Sequence, residues 1–253
     1  MSAARAKALQ RRTKPSFAVR VRTFWVVAVL ALVACLAAAI AIVNAPQLRV
    51  RAIDAIVPAD SPVTKAQVLD VAHVEPDANL WLLNTGAMRK RLEAIPYVLT
   101  AATHRAQFPQ PSIAIEITLR RPTGCVKAGA ATVTIDVAAR VLQTGCVSGA
   151  LPLVDAGTAT AGAPGTTLDA PDINQLLTDA KAIGEHIPVK IVRRDRFGGL
   201  EALDSRGVVL KFGRDADLAA KVALVEPVRA AAKGRPLRSI DLRAPNTPVV
   251  EFQ

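Results

Sequence analysis

The chain has 253 residues, 51% of them apolar, with a formal net charge of +11 and three cysteines. That length holds one or two domains with proper cores, and so apolar a composition excludes a disordered polymer. The basic excess is not spread over a surface: Arg5, Lys7, Arg11, Arg12, Lys14, Arg20 and Arg22 fall within the first 23 residues, without one acid, and the remainder is nearly balanced. The high pI therefore does not point to a nucleic-acid partner.

From Phe24 to Val43 the chain reads twenty residues with no charge or strong polar group. At about 1.5 Å per residue such a helix spans roughly 30 Å, the hydrocarbon thickness of a bilayer. Phe24 and Trp25 sit at one end, where aromatic rings favour the lipid–water boundary. The basic flank holds the N-terminus inside, so the rest of the chain is expected across the membrane, in single-pass type II orientation. The apolar stretch exceeds a secretory h-region of about 7–15 residues. Pro46 directly follows the small-residue step Val43-Asn44-Ala45. Both features favour an uncleaved anchor over a signal peptide. Cys35 lies inside the span as a small apolar residue. Cys125 and Cys146 lie beyond it; they are read either as a disulfide closing a loop of about twenty residues or as two buried thiols.

Residues 48–56 alternate and predict a strand. Thr64 caps a helix over about 64–72 that buries Val68 and Val71. Glu75-Pro76-Asp77 gives a turn before the apolar knot Leu80-Trp81-Leu82-Leu83. Asn84 or Thr85 starts a second helix with Met88, Leu92 and Ile95 on one face, ended by Pro96. Strands over 97–106 and 112–120 follow, joined at Phe108-Pro109-Gln110-Pro111; Ile113, Ile115, Ile117 and Leu119 alternate in the second. Beyond Pro122 the pattern predicts strands at 132–136, 140–143 and 151–154 and an aperiodic loop over 156–167. A helix near 171–186 and strands near 188–194, 199–204 and 207–212 come next. A helix near 215–233 should kink or break at Pro227, and strands over 237–242 and 248–252 close the chain. The fold class is α+β.

No catalytic constellation emerges. His73, His104 and His186 are isolated, and no paired C-x-x-C, H-E-x-x-H, G-x-S-x-G, P-loop or G-x-G-x-x-G occurs. No metal or cofactor is expected, and Asp54, Asp136, Asp155 and Asp241 read as turn or strand-end acids.

The first exported segment runs strand–helix–helix–strand–strand, with Val50 and Ile53, Asn79-Leu80, Ile95-Pro96-Tyr97-Val98, Arg105, Phe108-Pro109 and Arg121-Pro122 along it. The second segment carries Ile135-Asp136, Leu151-Pro152, Val209, Phe212-Gly213, Lys221 and Ile240-Asp241-Leu242-Arg243. With these residues in this order the first segment resembles a POTRA domain, and the chain resembles the bacterial division family FtsQ/DivIB. The sequence departs from the family pattern where Pro58-Ala59, Ala78 and Ala139 stand for glycines and Arg120 for a glutamate. Turns of a different or longer form are expected at the missing glycines.

The resemblance implies a basic tail over 1–23, an anchor over 24–43, a POTRA domain over 47–121 and a second α+β domain with a mixed or antiparallel sheet over 122–253. It implies a non-enzymatic scaffold at the division septum that recruits and restrains peptidoglycan synthesis through FtsB/FtsL (DivIC)-type partners. The implied docking residues are Val249, Val250, Glu251 and Phe252, with Lys221 and Arg229 from the preceding helix and Arg193 and Arg194 nearby. The physical mode would be strand addition to a terminal sheet edge. The POTRA domain would meet other division proteins. The competing expectation, a POTRA protein of outer-membrane insertion or secretion, calls for a long barrel signature that is missing.

Overall fold

The computed structural model describes residues 17–107, 109–147 and 151–253. The basic residues Arg5, Lys7, Arg11, Arg12 and Lys14, and Phe108 of the expected hairpin, lie outside the described residues. Helix α1 is Phe17–Val43. Its part Phe24–Val43 is long and apolar enough to cross a membrane, and none of it is buried by protein. A single 3-10 turn, Pro46–Leu48, follows, because a proline in the first turn presets φ for a helical start. The strand expected from residue 48 therefore begins later, as β1, Ala52–Ile56.

The chain divides into two compact units. Of the described residues, one unit gathers those of 17–53, 74–83 and 105–113; the other holds those of 54–73, 84–104 and 114–253. In the first, the end of α1 is tied to a turn: the Asn79 side-chain amide donates to the Val43 carbonyl. The backbone amides of Leu80 and Val50 donate to Leu48 and Ala78, at 2.8 and 2.9 Å.

The second unit opens with two capped helices. α2, Lys65–Ala72, starts where the Thr64 hydroxyl accepts from the Gln67 amide, and α3, Thr85–Glu93, starts at Asn84, whose side-chain oxygen accepts from Ala87. Each cap satisfies one of the amides a helix start leaves free. Arg91 donates to the Val71 and Ala72 carbonyls and so also serves the end of α2. β2, Val98–Ala106, and β3, Ser112–Leu119, complete a sheet of order β1-β3-β2. Val68, Met88, Leu92, Val98, Ile115 and Ile117 are buried, on the faces that the 3.6- and 2-residue periods select.

The remaining elements form one nine-stranded sheet. Its strands are β4 (Gly124–Ala128), β5 (Ala131–Ile135), β6 (Val141–Thr144), β7 (Leu153–Asp155), β8 (Val189–Arg194), β9 (Leu200–Asp204), β10 (Val209–Gly213), β11 (Leu237–Asp241) and β12 (Val249–Phe252). The order is β12-β11-β10-β9-β8-β7-β4-β5-β6. Pairs β4/β7, β7/β8 and β10/β11 are parallel and the others antiparallel, so the sheet is mixed. It is an open sheet, not a barrel, among the described residues. Helices α4 (Ile173–Gly184) and α5 (Leu218–Ala231) join its core through Ile173, Leu176, Leu177, Ala180, Ile183, Val222 and Val225. α5 runs on through Pro227 without a break. A proline there removes one backbone donor, and the packed Val222 and Val225 keep the helix seated.

β4 lies between β7 and β5, and Gly124 faces Leu177 so closely that a Cβ would stand 2.1 Å from its side chain. Strand β4 is where Cys125 sits. Its Cα lies 5.5 Å from that of Cys146, with the two sulfurs placed as a disulfide.

At residue 139 the expectation of a different or longer turn is overturned. Ala139 itself adopts φ +56°, in a turn where one Asp136 carboxylate oxygen accepts from the Ala138 and Arg140 amides at 2.9 Å each. At Ala78 the left-handed residue is instead its neighbour, Asp77, at φ +59°. Arg120 meets the other Asp136 oxygen at 2.7 Å. Both side chains of this pair are well buried, a setting in which removing one partner costs about 3–5 kcal/mol. Tyr97 donates to Gln143 at 2.6 Å, and Arg140 to the Glu93 carbonyl at 3.4 Å. Burial raises the Tyr97 phenol above its ordinary value.

Candidate partner-docking edge

Strand β12 ends the sheet. Its partner β11 is antiparallel, with Asp241 opposite Val249, Ile240 opposite Val250 and Ser239 opposite Glu251. A register shift follows, after which Leu237 faces Phe252. One step further, the Gln253 amide donates to the Pro236 carbonyl at 3.1 Å. Bonded and non-bonded pairs alternate along an antiparallel ladder. Counting back from Gln253, the amides and carbonyls of Glu251 and Val249 turn to β11. Those of Val250 and Phe252 turn to the open side, where no described strand lies.

The side chains divide by the two-residue period. Val250 and Phe252 pack against the core, whereas Val249 is 60% exposed and Glu251 is exposed on the other face. The Arg235 guanidinium lies 3.5 Å from the centre of the Phe252 ring, a cation–π arrangement. The Ser239 hydroxyl donates to Glu251 at 2.7 Å. That bond, then the positive charge of Lys211, holds the Glu251 carboxyl below its ordinary value of 4.5. Asp241 is held below 3.8, first by the Arg243 guanidinium bonded to it.

Of the other expected contact residues, Lys221 and Arg229 lie on α5 as expected, with their charges turned inward. Lys221 is 5% exposed and its ammonium donates inward to the Phe212 and Arg214 carbonyls at 2.9 and 2.8 Å. The Arg229 guanidinium is bonded to Asp204 and Glu226 and is also buried. Neither is offered to a partner's side chains. Both sit on α5 beside the core, and an amphipathic period does not reveal that an internal carbonyl or carboxylate waits for a cation.

Arg193 and Arg194 end β8, four strands from β12, roughly 19 Å at sheet spacing. They are not beside the edge. Arg193 pairs with Glu201 at 3.1 Å, and Arg194 bridges Asp215 and Asp179. The Arg194 hydrogen bond lowers the Asp215 carboxyl, while burial raises that of Asp179. Arg235, Ser239 and Lys211 flank the edge without having been singled out from sequence. The alternation in β11 and the spacing of Arg235 before that strand were the available signals.

Among the described residues no group of His, Cys, Asp or Glu is arranged to hold a metal ion. What the arrangement offers a ligand is backbone: a short open strand with one apolar and one charged flank.

Residues 57–120 match the family model described as POTRA domain, FtsQ-type. The chain carries an FtsQ-type POTRA domain. The match covers the two capped helices with β2 and β3 and begins just after β1, and it supports the resemblance to the FtsQ/DivIB family. It likewise supports an FtsQ-like role in cell division for a protein with one N-terminal apolar helix. No curated protein matches the chain.

Proposed function

We propose that this protein is a bitopic division scaffold that captures FtsB/FtsL (DivIC)-type partners by strand addition at β12. It would sit at the septum with its basic tail inside the cell and its domains over 47–121 and 122–253 across the membrane. There it would recruit and restrain peptidoglycan synthesis without catalysing a reaction itself. The observation that carries this reading is the uncovered terminal strand in a chain that also holds an FtsQ-type POTRA domain. An open edge presents unpaired amides and carbonyls, and a second chain can satisfy them without deforming the fold. Val249 and Glu251 on one side, Val250 and Phe252 on the other, would flank alternate side chains of the added strand.

The scaffold reading is tested by depleting the protein in its own cells: growth without septa, giving long undivided cells, is the expected result. Normal septation after complete depletion, with no second copy of the gene, overturns it. The docking mode is tested separately, at residue 250, as set out below.

A further inference from the structure

The most exposed large apolar side chains next to the end of α1 are consecutive: Trp81 is 55% and Leu82 66% exposed. They belong to the turn that the Asn79 amide ties to Val43, the last residue of the lipid-length helix. The Asn79 side-chain oxygen also accepts from the Trp81 amide at 2.8 Å, so one residue fixes both the helix end and the turn. Trp81 is two residues from Asn79, within about 7 Å along the chain. The headgroup layer outside the hydrocarbon core is roughly 5–8 Å deep on each side. A ring held that close to the helix exit falls in the layer where indoles concentrate.

The charges nearby are compatible with this place. The Arg105 guanidinium lies 5.9 Å from the Trp81 ring centre and donates to the Leu83 carbonyl at 2.9 Å. Arg49 is 3.9 Å from Asp77, and Arg51 and Glu75 are exposed in the same unit. The balance is only slightly positive, so apolar burial, not attraction to anionic lipid, must hold the turn. The sequence has two tryptophans: Trp25 at the start of the apolar stretch and Trp81 beside its end.

We propose that Trp81 and Leu82 enter the acyl–headgroup boundary of the membrane that α1 crosses, making the 78–83 turn a second, interfacial anchor. Water-filled space alone would leave two adjacent large apolar side chains exposed. A bilayer continuous with the lipid-facing surface of α1 covers them. The proposal is independent of which division partner the protein meets.

The test uses the full chain in vesicles of phosphatidylethanolamine and phosphatidylglycerol doped with lipids brominated near the top of the acyl chain. Trp25→Phe leaves Trp81 as the reporter, and Trp81→Phe leaves Trp25. Strong quenching of both reporters is expected. Adding Leu82→Asp to the Trp25→Phe protein should reduce Trp81 quenching several-fold. Quenching of Trp25 alone, with Trp81 silent in lipid or shielded only when a second protein is added, overturns the docking and leaves the anchor standing. Quenching of neither overturns both.

Discussion

Proline at position 250 probes the edge without touching the ladder that holds β12 in place. The ladder alternation directs the Val250 amide outward, so Val250→Pro removes a donor that β11 does not use. Prolines are tolerated in strands at such edge positions. A strand added along Val249–Phe252 would exchange about four backbone bonds with the outward groups of Val250 and Phe252, each contributing roughly 0.5–1.5 kcal/mol net. The proline removes one of these bonds and its ring displaces a neighbouring one, a loss of about 1–3 kcal/mol, or on the order of 10–100-fold in affinity. Val250 is half-buried against the core, so some stability is lost too. Thermal melting of each protein checks that the domain stays folded at the assay temperature. Calorimetric titration with the exported segment of an FtsB-type partner reads the affinity. Val249→Thr, which leaves the backbone donors in place and changes only an exposed side chain, is the comparison. A folded Val250→Pro protein that binds within twofold of the parent would falsify the outward-edge argument.

The Glu251 carboxyl should titrate below 4.5 in a carbon-detected NMR experiment, and Ser239→Ala should move its midpoint upward, since the hydroxyl bonds the ionised form. Because the folded value is depressed, this contact helps the fold above the ordinary value and is lost as pH falls through the lowered one; a midpoint indifferent to Ser239→Ala refutes the assignment. Ala139→Gly should raise the melting temperature modestly. Leaving the left-handed region unstrained is worth about 1–2 kcal/mol, against about 0.8 kcal/mol for the buried methyl lost; a lower melting temperature contradicts this. The Cys125–Cys146 bond should stabilise the oxidised protein by around 3 kcal/mol over the Cys125→Ser, Cys146→Ser double variant. Equal denaturation midpoints, or three alkylatable thiols instead of Cys35 alone in the unfolded protein recovered from the membrane, argue against it.

Local chemistry was legible wherever one residue's surroundings are its own chain neighbours. Thr64 and Asn84 start helices because the amides they cap lie three residues on. The apolar periods of α3 and α4 mark their buried faces for the same reason. The strand over 124–128 was not legible: it is flanked by strands on both sides and is nearly all buried. Two-sided burial erases the alternation that announces a strand. The inward turn of Lys221 and Arg229 on α5 was not legible, because a basic side chain on a helix reads as solvated until its internal acceptor is known.

Sequence by itself determined the apolar span, its basic flank and, β4 apart, the order of the elements. These depend on composition and on spacings of a few residues, which the backbone converts directly into faces and ends. Only the tertiary structure decided that β12 is a sheet edge with Val250 and Phe252 directing their backbone outward, that Arg193 and Arg194 stand four strands away, and that Trp81 sits beside the end of α1. Each of those facts is a distance between segments remote in sequence. Strand order and ladder register set such distances, and neither is encoded in the period of any single segment.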